Sequence, residues 1–178
     1  MNEKFYDMAE KKGIIELVAV VVEFCSTLES TEQMTKKEFI ERAHKLLSLL
    51  YMKTAVLATN SEADDFCEQF VTENDWEFIR QHVEAKLGEH DNRIEIVETD
   101  NFTSGESVET YISECFADIY QDARNFAEQC KDTSDEGLDA AAAEFFMNYK
   151  LYWGTRALAI LSEFHNLLYA SDSTIDKE

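Results

Sequence analysis

"LDAAAAEFFMNYKLYWGTRALAILSEFHNLLY", Leu138 to Tyr169, holds no proline and a single glycine, and its reading decides the fold. Leu138, Ala142, Phe145, Phe146, Tyr149, Trp153, Ile160, Phe164 and Leu167 return at the spacing of one helix face. A strand alternates every second residue and cannot sustain that period, so the stretch reads as one long helix. Arg156 breaks the pattern. At about 100° per residue it falls between Tyr149 and Trp153 on one side and Phe145 and Tyr152 on the other, the middle of the apolar face. A guanidinium keeps its proton there, so its burial demands an acceptor.

The same period runs upstream. Ile14, Leu17, Val18, Val21, Phe24, Cys25 and Leu28 make a first helix, and Tyr6 and Glu10 extend its phase through Gly13. Thr35 and Glu38 form a capping-box pair ahead of a second stripe, Phe39, Ile40, Ala43, Leu46, Leu47, Leu50, Tyr51 and Thr54, which ends near Leu57. "TNSEADDFCEQFVTEND" reads as a loop with one helical turn. Thr72 and Asp75 cap a third helix, Trp76, Ile79, Val83 and Leu87, closed by Gly88. Val108, Tyr111, Ile112, Cys115, Phe116, Ile119, Tyr120, Ala123, Phe126, Ala127 and Cys130 carry the cleanest helical stripe, with Ser104 or Ser107 as its cap. Ahead of it, "HDNRIEIVETDNFTSGE" alternates at Ile94 and Ile96 and reads as a short extended piece. No second strand is evident, so this piece is expected to lie across the bundle or to pair with its copy in another subunit. The expectation is one all-α domain over residues 1–178: a bundle of about five helices, an irregular excursion near residues 89–106, and a frayed tail at 171–178.

Composition agrees. The chain has 178 residues, 45% of them hydrophobic, no proline and five glycines, which suits one core built from long helices with few turns. Lysine plus arginine number 16 against 37 acidic residues, a formal charge of −21. That field repels phosphate backbones and anionic lipid, so neither nucleic acid nor a membrane is expected as a partner. A protein with a basic surface suits it. "MNEKFYDMAEKKG" lacks the apolar centre of a signal peptide, and "LVAVVVEFC" is interrupted by Glu23 and too short to span a bilayer. Cys25, Cys67, Cys115 and Cys130 form no C-x-x-C pair, and Cys25, Cys115 and Cys130 lie on apolar faces; they read as reduced thiols of a cytoplasmic protein.

"ELVAVVVEFCSTLE", "LLSLLYMKTA", "VTENDWEFIRQHVEAKLGEHD", "SVETYISECFADIYQDARNF" and "YWGTRALAILSEFHNLL" together resemble a bacterial family known as domain of unknown function 5063. The resemblance runs over most of the chain, departs from the family at "LATNSEADD", where no proline follows the second helix, and implies a compact, mostly helical bacterial protein. It implies no activity and transfers no functional residue.

Three groups of residues remain as candidate chemistry. Arg156 serves either an anion pocket walled by Tyr149 and Trp153 or an internal ion pair. For the pair, Asp122 is the first choice of partner, with Asp118 and Glu163 behind it, because Asp118 and Asp122 flank the apolar stripe of the fourth helix. "ERAH", Glu41 to His44, has the Glu-x-x-His spacing of di-iron bundles but no second copy, and Glu41 points away from its stripe. His82, His90 and His165 read as isolated. Glu38 and Glu41 with Glu62 and Asp65 resemble the magnesium pattern of all-α nucleotide pyrophosphohydrolases. Against that reading, the first pair sits on an outer face and the second in a weakly structured stretch. No metal site and no cofactor are expected, and no Gly-rich phosphate loop or G-x-S-x-G elbow is present. The leading expectation is a non-enzymatic interaction or adaptor protein, with Phe66, Phe70, Phe78 and Phe102 as its surface aromatics. The alternatives are the magnesium-dependent hydrolase and a small-anion-binding protein using Arg156.

Overall fold

The computed structural model describes residues 2–58, 67–97, 107–131, 134–170 and 175. The chain forms α1 (Asn2–Glu29), α2 (Lys36–Leu57), α3 (Glu73–Leu87), a hairpin of β1 (Arg93–Val97) and β2 (Ser107–Tyr111), α4 (Ile112–Gln129), α5 (Asp135–Asn148) and α6 (Gly154–Tyr169). A π turn, Tyr149–Trp153, joins α5 to α6, so these two follow one helical path as the fifth helix of an all-α bundle. Among the described residues no helix is long and apolar enough to cross a membrane.

Local chemistry sets the boundaries. Thr35 accepts from the Glu38 N–H while the Glu38 carboxylate accepts from the Thr35 N–H at 2.8 Å, closing a capping box at the start of α2. Thr72 and Asp75 repeat it for α3. Gly88 closes α3 at φ 57°, where a side chain would be strained. The start of α4 differs from the sequence expectation. Ser107 is the first residue of β2, Ser104 lies outside the described residues, and the helix begins at Ile112. Its first turn is capped instead by carboxylates. Asp91 accepts from the Ser113 N–H at 2.8 Å and hydroxyl at 2.7 Å, and Glu114 accepts from the Tyr111 N–H at 3.1 Å.

The extended piece at Ile94 and Ile96 does have a partner within its own chain. β1 pairs antiparallel with β2, from Arg93 opposite Tyr111 to Val97 opposite Ser107. "SVETY" carries β-branched residues at alternate positions, which suit a pleated ribbon as well as they suit the edge of a helical stripe. Ile94 and Ile96 are buried, and β1 packs on α6.

α1 and α2 form an antiparallel pair, joined on their flank by Glu16 to Lys53 at 2.9 Å and by Glu23 to Arg42. Four helices meet at Phe116 of α4. Its ring centre lies 6.3 Å from Phe24 of α1, 5.9 Å from Phe39 of α2 and 5.6 Å from Phe164 of α6. Segment 67–72 lies along α4, where the Asn125 side-chain oxygen accepts from the Phe70 and Val71 N–H groups at 2.7 and 2.9 Å.

The π turn is the feature that apolar periodicity does not reveal. The Gly154 N–H donates to the Tyr149 carbonyl, one residue further back than in an α-helix. A Cβ built on Gly154 would stand 2.5 Å from that carbonyl oxygen and 3.1 Å from the Tyr149 ring. In an ordinary helix interior, glycine to alanine stabilises by about 1 kcal/mol. Here the sign reverses: Gly154→Ala is expected to destabilise by about 1–3 kcal/mol, read as a lower midpoint in urea. A midpoint equal to or above that of the wild type contradicts a steric requirement for glycine at this turn.

Candidate functional site

Arg156 is buried, at 6% exposure. Its Nε donates to Asp118 Oδ2 at 3.1 Å and its guanidinium donates to the Tyr152 carbonyl at 3.2 Å. The plane of Tyr152 covers it, with the guanidinium carbon 3.5 Å from the ring centre, a cation–π contact. The same tyrosine donates its hydroxyl to Asp118 Oδ2 at 2.9 Å, and Trp76 of α3 donates its indole N–H to Asp118 Oδ1 at 3.0 Å. One carboxylate thus receives three donors from three other elements, α6, the π turn and α3. These contacts give the arginine its acceptor, which is how a permanent cation is accommodated in a core.

The partner is Asp118, where sequence spacing favours Asp122. Packing of α4 against the fifth helix gives the reason. Each turn along α4 meets one turn of the facing helix: Phe126 stacks on Phe145 at 4.6 Å, Asp122 accepts from Asn148 at 3.1 Å, and Asp118 accepts from Tyr152. Arg156 stands one turn beyond Tyr152. A helical side chain leans toward the N-terminus of its own helix, so the guanidinium reaches back to the level of Asp118. The aromatic neighbours are corrected by the same turn. Tyr152, not Tyr149 or Trp153, covers Arg156. Tyr149 packs on Tyr51 at 5.2 Å and on Trp153 at 4.9 Å, and Trp153 is fully buried against Phe145 at 5.1 Å. Glu163 is half-buried on α6, seven residues past Arg156.

Asp122 has a distinct character. Burial above all, with the charges of Asp118 and Glu144 added, pushes its carboxyl up to about 7, against the pull of the Asn148 bond and of Arg156. Around it stand amides and a second acid. Gln69 and Gln129 donate to Glu144 at 3.3 and 3.1 Å, and Asn125 donates to Gln69. The space they enclose with Asp122 and Asn148 is about 10 Å³, room for about one water molecule and no larger ligand.

The other candidates are dispersed. Glu38 is engaged in the α2 cap, and Glu41 stands 4.0 Å from Lys45. Glu62 and Asp65, like Phe66 and Phe102, lie outside the described residues. Among the described residues no group of three or more histidines, cysteines and acids is placed to hold a metal. The histidines are less isolated than their spacing suggests. His82 lies on Phe78, with ring centres 3.9 Å apart, and 3.1 Å from Glu32; His165 faces His44 across α2 and α6 at 6.2 Å. Cys25 and Cys115 are buried thiols, and burial pushes Cys115 up to about 12. Trp76 is the member of the Arg156 network that sequence reasoning passes over; helical phase already sets Tyr152 beside Arg156. Trp76 carries no such signal.

A family model, domain of unknown function (DUF5063), matches residues 8–170. The chain belongs to that family. A crystal structure of protein BF1032 from Bacteroides fragilis is similar to it, at 30% identity over 91% of this chain and 96% of that one, with a TM-score of 0.75. No curated protein matches.

Asp122 generates a signed expectation. Its carboxyl lies near 3.8 when unfolded and near 7 when folded, so the folded chain holds its proton more tightly. The stability this contributes is complete below about pH 4 and is lost as pH rises through 7. Asp122→Asn keeps the Asn148 bond and removes the titration. Its unfolding free energy, and with it its melting temperature, is expected to exceed that of the wild type above pH 7, the free-energy margin being on the order of a few kcal/mol and shrinking toward pH 4. Parallel melting curves across pH 4–8 contradict it.

Proposed function

We propose that the protein is a non-enzymatic interaction protein that docks a partner bearing a basic surface, with Phe70 and Phe78 as apolar anchors. One observation carries the reading: both rings stand in solvent, at 43% and 46% exposure, on an acidic face. Phe70 lines a groove of about 180 Å³ between segment 67–72 with α3 on one side and α4 on the other, together with Val71, Asp75, Tyr120, Arg124 and Glu128. Phe78 stands one turn along α3 from Asp75, beside His82 and Glu32. Arg124 is already met by Glu29 at 3.2 Å and Glu128 at 2.9 Å, so the face keeps its acidic character. Large exposed aromatics flanked by like charges are the composition of a surface that gains by being covered. A net charge of −21 steers a cationic partner toward it.

The alternative readings have less support. Arg156, the cation an anion-binding protein would use, is met by Asp118 and covered by Tyr152. Glu38, the first acid of the magnesium pattern, is held by the α2 cap. We further take the protein to be bacterial and cytoplasmic; the buried thiols of Cys25 and Cys115 and the similarity to a Bacteroides fragilis protein support that reading.

The test is affinity capture from the native host with wild type and with Phe70→Ser/Phe78→Ser. Wild type is expected to retain a basic protein that high salt releases, and the double variant to lose it with an unchanged melting temperature. Equal retention by both proteins contradicts the assignment of the anchors.

A further inference from the structure

Where α2 passes the C-terminal end of α6, two imidazoles from different helices face one another. The ring centres of His44 and His165 are 6.2 Å apart, with their planes at 43°. Tyr169 packs on both, 4.9 Å from His165 and 6.2 Å from His44. It also lines a cavity of about 210 Å³ with Lys37, Glu41, Lys45, Leu167, Leu168 and Ile175. We propose that His44 and His165 together bind a first-row divalent cation of borderline softness, Zn²⁺, Ni²⁺ or Cu²⁺, clipping α2 to the last turns of α6.

Distance, ligand chemistry and field support this. With metal–nitrogen bonds of about 2.0–2.1 Å, two imidazoles on one tetrahedral ion hold their ring centres about 5 Å apart. The observed 6.2 Å is about 1 Å wider, a gap that side-chain rotation closes, since His165 is exposed and His44 half-buried. Imidazole suits these three metals, whereas Mg²⁺ and Ca²⁺ require oxygen ligands. Glu41 offsets Lys45 at 4.0 Å, and the acidic molecule concentrates cations around itself. Two protein ligands with water in the remaining positions make a site weaker than a four-ligand structural zinc centre.

The experiment is calorimetric titration of the chelator-stripped full chain with Ni²⁺ alone at pH 7.5, paired with melting curves. One ion per chain and a raised melting temperature are expected, both lost when a chelator is added back. His44→Ala and His165→Ala should each weaken binding by more than the roughly 10–100-fold cost of losing an outer-shell partner. His82→Ala should change nothing. Should either variant fail to fold, the wild type still decides: at substoichiometric Cu²⁺, the assigned ring signals of His44 and His165 should broaden ahead of those of His82 and His90. Absence of saturable binding, binding that survives both substitutions, or earlier broadening at His82 or His90 overturns the site.

Discussion

A carboxylate that collects three donors holds the centre of this molecule together. Asp118 on α4 takes the Arg156 guanidinium from α6, the Tyr152 hydroxyl from the π turn and the Trp76 indole from α3. An unpaired buried charge costs several kcal/mol, so each of these elements must arrive in one register. Hydrophobic packing around Phe116 supplies most of the driving force, but it is non-directional. The Asp118 network supplies direction. It sets the level at which the fifth helix meets α4, and it places Tyr152 where its ring covers the guanidinium.

The π turn follows from that demand. Five residues in one turn let Tyr149 and Trp153 pack with Tyr51 and Phe145 while Tyr152 reaches Asp118. Gly154 is the residue at which the widened turn closes, because its missing Cβ leaves room for the Tyr149 carbonyl. One turn along α4 the chemistry changes. Asp122 has Asn148 where Asp118 has Arg156, and its carboxyl is accordingly pushed up to about 7 by burial. Two aspartates four residues apart on one helix thus meet different partners, set by what the facing helix presents.

Much of this was legible in the residues. Apolar spacing located the helices, and the Thr35, Thr72 and Gly88 signals located their ends, because caps and periodicity are local. The burial of Arg156 and its need for a carboxylate were legible for the same reason. The choice of Asp118 over Asp122 was not, since it depends on one extra residue in a helical turn and on how far an arginine reaches back. β2 was hidden because "SVETY" satisfies both periods at the edge of a strong helical stripe. The meeting of His44 with His165 and the donation from Trp76 depend on which helices are neighbours, information no single stripe holds.

The central claim is that Arg156 and Asp118 act as one structural unit. A double-mutant cycle in urea, with wild type, Arg156→Met, Asp118→Asn and the double variant, tests it most directly. Arg156→Met is predicted to cost about 3–5 kcal/mol, because it takes the cation away from a partly buried carboxylate and leaves it only the neutral donors of Tyr152 and Trp76. The double variant should recover a substantial part of the summed losses, the signature of coupled partners. An Arg156→Met protein as stable as the wild type, or losses that simply add in the double variant, would contradict the claim and return Arg156 to consideration as an anion-binding residue.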